Sequence, residues 1–193
     1  PIPEGVASFG GNAFVTCSNL TEMRLPYSAL QVPSSIWGCI GITNLTIGNG
    51  ITEIPSGGLS GLSSLRSVTF GTGVATIGSS VFGGCTNLAE LIIPDNVTRL
   101  GSSMMSGCSA LTNIVIGNGV TEISSGAFQQ LGSLRSVTIG TAVTNIGSGA
   151  FYATGLESVD IPDNVVALGG GALYSCSNLT HISIGRGVEW FYA

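Results

Sequence analysis

Residues 120–140 read Val-Thr-Glu-Ile-Ser-Ser-Gly-Ala-Phe-Gln-Gln-Leu-Gly-Ser-Leu-Arg-Ser-Val-Thr-Ile-Gly and show the whole pattern of a repeat. The last part alternates apolar and polar residues with a period of two, which predicts a β-strand whose Leu134, Val137 and Ile139 face a core. The pair Val120 and Ile123 predicts a second, shorter extended piece. The segment between these two parts predicts a tight turn or a single helical turn, so one unit describes one coil of chain.

The same pattern recurs along the whole chain at a constant interval, a period of about 23 residues that is typical of solenoid repeats. Units start near residues 6, 29, 51, 74, 97, 120, 143 and 165, a partial unit starts at 188, and the second and seventh units are one residue short. A unit this short cannot bury its own apolar face, so neighbouring units must stack to form a core. We therefore predict one solenoid domain over residues 1–193, with about eight coils and a parallel β-sheet along one face.

Turn residues separate the extended pieces. Glycine, asparagine, aspartate and proline favour turns, and they recur as Ile-Gly-Asn-Gly at 47–50 and 116–119 and as Ile-Pro-Asp-Asn at 93–96 and 161–164. A longer rhythm is also present, because residues 52–71 return in similar form at 121–140. This rhythm indicates duplication of a block of three units.

The segments Ile-Pro-Asp-Asn-Val-Thr-Arg-Leu-Gly-Ser-Ser-Met-Met-Ser-Gly-Cys (93–108) and Ile-Pro-Asp-Asn-Val-Val-Ala-Leu-Gly-Gly-Gly-Ala-Leu-Tyr-Ser-Cys (161–176) carry a resemblance to a known family. With the strands that follow them, they resemble the BspA-type leucine-rich repeat. The resemblance covers nearly the whole chain. It implies a right-handed leucine-rich-repeat solenoid, a bacterial or protist cell surface, and a role in adhesion or binding of matrix or host proteins.

Composition excludes several classes of function. Five Lys and Arg stand against ten Asp and Glu, so the formal net charge is -5. A surface that binds nucleic-acid phosphates needs an excess of positive charge, and we predict no nucleic-acid partner. No apolar run approaches the ~18–20 residues that a membrane span needs. Phosphate-binding glycine motifs are absent as well, because each Gly-x-Gly lies in a turn.

All five cysteines fall in one column of the repeat: Cys17, Cys39, Cys85, Cys108 and Cys176. Cysteines of adjacent coils lie within disulfide reach by Cα distance, but stacked inward side chains point the same way. Metal binding would need several ligands that converge on one site. We interpret the column as free, buried thiols that pack as small apolar side chains, with a disulfide or a metal site as the alternatives.

His181 is the one histidine, and it lies outward on a predicted strand. Ser158 and Asp160 on the neighbouring coil and Ser183 on the same strand stand near it. A Ser-His-Asp arrangement needs a buried carboxylate behind the histidine and a nucleophile in front. Because serine is common along the whole chain, we interpret His181 as a solvated surface residue. We predict no enzymatic activity, no cofactor and no metal.

Two columns of side chains point outward from the predicted main sheet. The first contains Glu22, Asn44, Ser67, Glu90, Asn113, Ser136, Ser158 and His181, and the second contains Arg24, Thr46, Thr69, Ile92, Val115, Thr138, Asp160 and Ser183. The face is either a plain solvated sheet surface or a binding face for a protein or glycan. In the second case the binding residues are Asn44, Thr46, Ser67, Thr69, Ile92, Asn113, Val115, Ser136 and Thr138.

Further surface features follow from the same columns. The pairs Arg135–Glu157 and Arg99–Glu122 fall in adjacent coils and are expected to form exposed ion pairs, worth ~0–1 kcal/mol each. Four Asn-x-Ser/Thr sequons occur, at Asn19, Asn44, Asn96 and Asn178. These asparagines are possible N-glycosylation sites if the chain is secreted by a eukaryote.

The two ends carry apolar residues in the same phase of the repeat. Residues 2–6 match 93–97, and the last residues stop at nearly the same phase. The chain begins with Pro1, so it is a processed chain or a fragment whose neighbouring segments cap the solenoid, or its own ends stack on each other. The residues expected to meet in such stacking are Ile2, Pro3, Val6, Phe9, Val188, Trp190, Phe191 and Tyr192.

The favoured prediction is an extracellular or cell-surface protein with a structural or adhesive role that associates head-to-tail into a filament. Matched open ends generate such contacts, and low charge removes the repulsion that opposes them. The alternative prediction is a monomeric recognition module that binds a protein or glycan on the sheet face.

Overall fold

The computed structural model describes residues 2–191, and it describes only the backbone of Trp190 and Phe191. Over this range the chain forms a β-solenoid of short parallel strands. Eight strands form the main face: β1 (Glu22–Arg24), β2 (Asn44–Thr46), β4 (Ser67–Thr69), β6 (Glu90–Ile93), β8 (Asn113–Ile116), β10 (Ser136–Thr138), β12 (Ser158–Ile161) and β14 (His181–Ile184). Seven shorter strands form a second face: β3 (Glu53–Ile54), β5 (Thr76–Ile77), β7 (Arg99–Leu100), β9 (Glu122–Ile123), β11 (Asn145–Ile146), β13 (Ala167–Leu168) and β15 (Trp190–Phe191).

The strand register confirms the predicted repeat and its two short units. Asn44 pairs with Ser67, which lies one full unit further along the chain. Glu22 pairs with Asn44 across the second unit, which is one residue shorter. On the second face, Asn145 pairs with Ala167 across the seventh unit, which is shortened in the same way. Equivalent residues of successive coils therefore lie side by side on both faces.

The core fills the space between the two faces. The inward column of the main face is almost fully buried at Met23, Leu45, Leu91, Ile114 and Val159. Each such side chain contributes about 1.5–3 kcal/mol by leaving water. On the third side of three coils a buried phenylalanine points inward, at Phe82, Phe128 and Phe151, and the rings of Phe128 and Phe151 stack with centroids 5.6 Å apart. The core is thus a series of columns of equivalent residues.

The predicted crossing segment is a tight turn in most coils. Two residues in each turn have a positive φ, for example Gly126 at 62° and Gln130 at 61°. A left-handed residue stops a right-handed helix from continuing, so the segment closes without a helical turn. Among the described residues a 3-10 turn occurs once, at Ile36–Gly38.

The main face is not the single continuous sheet that the repeat predicts. Over residues 2–191 it consists of three pieces, β1-β2-β4, β6-β8-β10 and β12-β14. The second face consists of two pieces, β3-β5-β7 and β9-β11-β13-β15. The breaks on the two faces are staggered. On the second face, β5 pairs with β7 and β9 pairs with β11, and these pairs span the two main-face breaks. On the main face, β6 pairs with β8, and this pair spans the break between β7 and β9. Adjacent coils therefore stay joined on at least one face.

A change in turn sequence marks each break on the main face. Where the ladder is intact the strand runs into Gly-x-Gly, as at 48–50 and 117–119, whereas after the breaks it runs into Pro-Asp-Asn at 94–96 and 162–164. Proline has no N–H to donate to a ladder. The asparagine replaces the lost contact, since Asn96 Nδ2 donates to Gly71 O at 3.2 Å and to Val74 O at 2.6 Å.

Candidate functional site

The two predicted outward columns lie on the main face in the expected register. Glu90, Asn113 and Ser136 are register partners, and so are Ile92 and Val115. The predicted binding residues nevertheless divide between two pieces of the sheet. Asn44, Thr46, Ser67 and Thr69 lie on the first piece, and Ile92, Asn113, Val115, Ser136 and Thr138 lie on the second.

Hydrogen bonds between side chains order the first outward column. Asn113 Nδ2 donates to Glu90 Oε1 at 2.7 Å, and Ser136 Oγ donates to Asn113 Oδ1 at 2.8 Å. On the first piece, Ser67 Oγ donates to Asn44 Oδ1 at 2.7 Å. Because each side chain is held by its neighbour one coil away, little rotamer entropy remains to be lost when a partner binds.

An apolar cleft opens on this polar face at the break between β4 and β6. Its volume is about 260 Å³, and it is lined by Val68, Thr69, Phe70, Ile92 and Pro94. The side chain of Ile92 is 55% exposed, and it lies between Thr69 and the apolar Val115 in the second outward column. The lining carries no charged side chain. Its chemistry suits an apolar side chain supplied by a partner.

Sequence reasoning found two of the five lining residues, Thr69 and Ile92, and missed the other three. Val68 belongs to the inward column, but it is only partly buried here. Phe70 takes the place of the isoleucine or leucine of other coils, and its ring meets that of Phe82 edge-on with centroids 6.4 Å apart. The signal that could have located the cleft was Pro94, which replaces a turn glycine.

A second, polar pocket lies at the break between β7 and β9 on the second face. Its volume is about 220 Å³, and Arg99, Glu122 and Ser124 are among the residues that line it. Arg99 and Glu122 share this pocket without reaching ion-pair distance, whereas Arg135 Nε and Glu157 Oε1 lie 3.5 Å apart. Of the two expected ion pairs, the structure confirms Arg135–Glu157, and Arg99–Glu122 does not form.

At the last main-face strand, β14, inward-column residues are exposed. Ile182 is 47% exposed and Ile184 is 44% exposed, whereas their register partners Val159 and Ile161 are buried. Val188 packs partly against the core nearby. The backbone of Trp190 and Phe191 forms β15, which pairs with β13. The remaining predicted contact residue at this end, Tyr192, lies outside the described residues.

The first coil is built from turns rather than strands over residues 2–21. Ile2 and Phe9 pack partly against the core, Val6 is half-buried, and Pro3 is exposed. A shallow cavity of about 140 Å³ lies at this end, with Ile2 and Phe14 among its lining residues. Apolar surface is therefore present at both ends of the described solenoid.

The cysteine column consists of free thiols, as the sequence predicts. Cys39, Cys85 and Cys108 are buried, and Sγ of Cys108 donates to Phe82 O of the preceding coil at 3.1 Å. Burial raises the pKa of the Cys85 and Cys108 thiols to about 12. Cys17 departs from the predicted burial and is exposed, because no described coil precedes its own.

His181 lies exposed on β14, and its Nδ1 is 2.9 Å from Thr180 Oγ1. Its register partner is Ser158, and Asp160 and Ser183 pair further along the same strands. Within the described part of the chain, no three His, Cys, Asp or Glu side chains gather as a metal site would require. No helix among residues 2–191 has the length and apolar character to cross a membrane.

The four sequon asparagines occupy different surroundings. Asn19 and Asn178 are exposed in turns that precede main-face strands. Asn44 is exposed on β2, and its Nδ2 donates to Thr43 Oγ1 at 3.1 Å. Asn96 is half-buried, and its Nδ2 is the atom that donates to the two carbonyls of the preceding coil.

Solved bacterial structures share the fold. A leucine-rich repeat protein from Bacteroides ovatus is 19% identical with a TM-score of 0.58, and the match covers 96% of this chain and 66% of that one. TpLRR from Treponema pallidum is 23% identical with a TM-score of 0.66, covering 75% of this chain and 70% of that one. A leucine rich cell surface protein from Faecalibacterium prausnitzii is 22% identical with a TM-score of 0.50, covering 95% and 70%.

The chain thus spans about two thirds of the length of these solved proteins. None of the curated proteins matches it significantly. The family model described as "BspA type Leucine rich repeat region (6 copies)" matches residues 1–112 and 102–192. The chain belongs to the BspA-type leucine-rich repeat family, a family of repeat proteins suited to protein interaction.

Proposed function

We propose that the protein is a non-catalytic binding scaffold that recognises a protein partner on its main face. The observation that carries this proposal is the apolar cleft of Val68, Phe70, Ile92 and Pro94 within a mostly polar face. An apolar pocket ringed by polar groups is typical of an interface anchor site. The ordered amide and hydroxyl groups of Asn113 and Ser136 lie on the same piece of sheet as Ile92 and supply hydrogen bonds at the rim.

The chemistry of the cleft favours a protein over a glycan. The lining offers aliphatic and phenyl surface and a single hydroxyl, from Thr69. A sugar ring presents several hydroxyls that need hydrogen-bond partners, whereas a leucine or phenylalanine side chain of an extended peptide needs only apolar contact. With no charge in the lining, the proposed partner segment is uncharged where it enters the cleft.

The test uses short random peptides displayed on phage, selected on the wild-type protein and then measured on two variants. Ile92→Glu places a charge at the mouth of the cleft, and Ile40→Glu makes the same change at an isoleucine that is 49% exposed outside the β-strands. The selected peptides should lose at least about tenfold in affinity, about 1.4 kcal/mol, with Ile92→Glu and keep their affinity with Ile40→Glu.

Circular dichroism of both variants checks that the solenoid is intact. Peptides that bind wild type and Ile92→Glu equally would place recognition elsewhere. A library that yields no binder at all would also count against a peptide-binding cleft.

We further propose a cell-surface location and an adhesive role, since the fold is shared with a Faecalibacterium prausnitzii protein described as a cell surface protein. Antibody labelling of intact cells that express the protein tests the location. Labelling that requires permeabilised cells would contradict it.

The second proposal, head-to-tail association, has its own support in β14. Ile182 and Ile184 stay about half exposed although their column is buried in the preceding coil. A further coil of the same repeat would cover both residues, and a second copy of the chain has an apolar first coil to offer at Ile2 and Phe9. Contacts of this kind do not close and give filaments.

Light scattering and negative-stain microscopy test this association. Ile182→Asp should shift the protein to monomer, while Ser183→Asp, which copies the outward Asp160 of the preceding strand, should leave the filament intact. Trp190→Asp at β15 gives a further variant of the same end. A mass that stays monomeric at all concentrations in wild type would remove the filament proposal.

One triple variant separates the two proposals. Glutamate at Thr46, Thr69 and Thr138 charges the main face without touching either end of the solenoid. It should abolish peptide recognition and leave end-to-end association unchanged.

A further inference from the structure

Two columns of glycine follow the strands, one on each face. On the main face they are Gly48, Gly71, Gly117, Gly140 and Gly185, and on the second face they are Gly78, Gly101, Gly147 and Gly169. A Cβ at Gly71 would lie 2.5 Å from Gly48 O, and a Cβ at Gly147 would lie 2.5 Å from Ser125 N. Both neighbours are backbone atoms of the preceding coil, so no rotamer change makes room. Coils at strand spacing thus exclude a side chain from these columns.

Glycine in these columns accompanies an intact ladder. This holds at every described column position whose strand lies beside a strand of the preceding coil. Each of the nine glycines follows a strand that pairs with the preceding coil. Three such positions hold another residue: Pro94, Ser124 and Pro162. They follow β6, β9 and β12, and these are the three strands that lack a partner in the preceding coil.

The hydrogen bonds show how the ladder is lost. On the second face the amides of all four column glycines donate to the preceding coil, and on the main face Gly185 N donates to Ile161 O at 2.8 Å. The equivalent acceptor for position 94 is Phe70 O, and proline has no N–H to give it. At the second-face break a side chain acts instead, because Ser124 Oγ donates to Leu100 O at 2.5 Å. At all three breaks a side chain donates a hydrogen bond to the preceding coil. Asn96 and Ser124 do so as described, and Asn164 Nδ2 donates to Val143 O.

We propose that Pro94 is the positioning residue of the recognition cleft. By occupying the glycine column it prevents β6 from pairing with β4, and the gap that results exposes Val68, Phe70 and Ile92 as the cleft walls. The inference rests on the proposed function in one respect only, the use of this cleft by a peptide. The apolar cleft at Pro94 and the polar pocket at Ser124 both lie where a residue other than glycine occupies the column.

The test is Pro94→Gly, because this substitution places glycine in the column at the break. If the inference holds, β6 joins β4 and Phe70 N donates to Ile92 O, as Ile47 N donates to Thr69 O at 2.8 Å in the intact ladder. Hydrogen exchange of the Phe70 amide measured by NMR is then at least about 100-fold slower than in an unfolded peptide. A Phe70 amide that exchanges at the unfolded rate would overturn the inference, since removal of the proline would not have joined the strands.

Pro162→Gly is the matched second variant. It makes the same chemical change at the break between β10 and β12, and the amide of Ile139 should be protected by Asp160 O in the same way. The phage-selected peptides should lose at least about tenfold in affinity for Pro94→Gly and bind Pro162→Gly as they bind wild type.

The two readouts separate the two claims. A protected Phe70 amide in Pro94→Gly together with unchanged peptide affinity would leave the role of the glycine column standing and remove the cleft as the recognition site. Unprotected amides in both variants would overturn the positioning role of Pro94, and the effect of Ile92→Glu would still decide the proposed function by itself.

Discussion

Replacing Gly117 by alanine is the most direct test of how closely the coils pack. The new Cβ would lie 2.5 Å from Pro94 C, 2.6 Å from Ile93 O and 2.7 Å from Asp95 N. All three atoms belong to the backbone of the preceding coil, so the clash can be relieved only if β8 moves away from β6. These strands pair over four residues, from Glu90 with Asn113 to Ile93 with Ile116.

The expected cost follows from two contributions. Overpacking of a rigid site costs about 1–3 kcal/mol, and the loss of two ladder hydrogen bonds costs about 0.5–1.5 kcal/mol each. Together they give about 2–6 kcal/mol, out of the ~5–15 kcal/mol by which a domain is stable. Urea unfolding followed by circular dichroism should therefore show a large fall in the midpoint for Gly117→Ala.

The matched control is Gly132→Ala. A Cβ at Gly132 meets nothing within 4 Å, and its backbone is not in the left-handed region. This variant should be as stable as wild type, or more stable by about 0.4–1 kcal/mol, because alanine restricts the unfolded chain. Equal unfolding midpoints for the two variants, with unchanged hydrogen exchange in β8, would refute the close-packing argument.

Three further predictions concern the sequon asparagines and the cysteine column. In a eukaryotic secretory host, mass spectrometry should find a glycan on the exposed Asn178 and none on Asn96, whose Nδ2 is held by two carbonyls. In the folded protein a thiol reagent should modify Cys17 rapidly, and Cys85 and Cys108 only after unfolding. Burial raises the pKa of these two thiols from 9.0 to about 12, so their contribution to the unfolding free energy should be constant below pH 9 and lost as the pH rises towards 12. A double alanine variant at the two buried cysteines should reduce that alkaline loss in pH-dependent urea unfolding.

Periodicity alone predicts much of the fold because stacking makes equivalent positions neighbours. The column that contains Cys39, Cys85 and Cys108 could be identified as inward-facing from its apolar replacements Leu62 and Leu131. What the column pattern did not predict is the weak hydrogen bond that each thiol gives to a carbonyl of the preceding coil. Such a bond depends on which backbone oxygen the turn directs at the sulfur. For Cys85 and Cys108 the acceptors are Leu59 O and Phe82 O, and two left-handed residues flank each of them.

The candidate site was predictable only in part, because periodicity gives the direction of a side chain but not the pairing of strands. The outward direction of Thr69, Ile92 and Val115 follows from a period of two along each strand. Whether adjacent strands actually pair depends on the separation between two backbones, and a period along one chain contains no information about that separation. Arg99 and Glu122 lie across one ladder break and do not pair, whereas Arg135 and Glu157 lie across another and do pair, because Glu157 N still donates to Arg135 O at 3.3 Å.

The sequence by itself determined the length of the coil, the two short units, the assignment of residues to inward and outward columns and the membership of one repeat family. These follow from a fixed period, which decides which residues of successive coils lie beside one another. The tertiary structure alone decided where the sheets are interrupted and where a cleft opens. Those features depend on contacts of about 2.5 Å between a column residue and the backbone of the preceding coil, and one Cβ or one missing N–H is enough to change them.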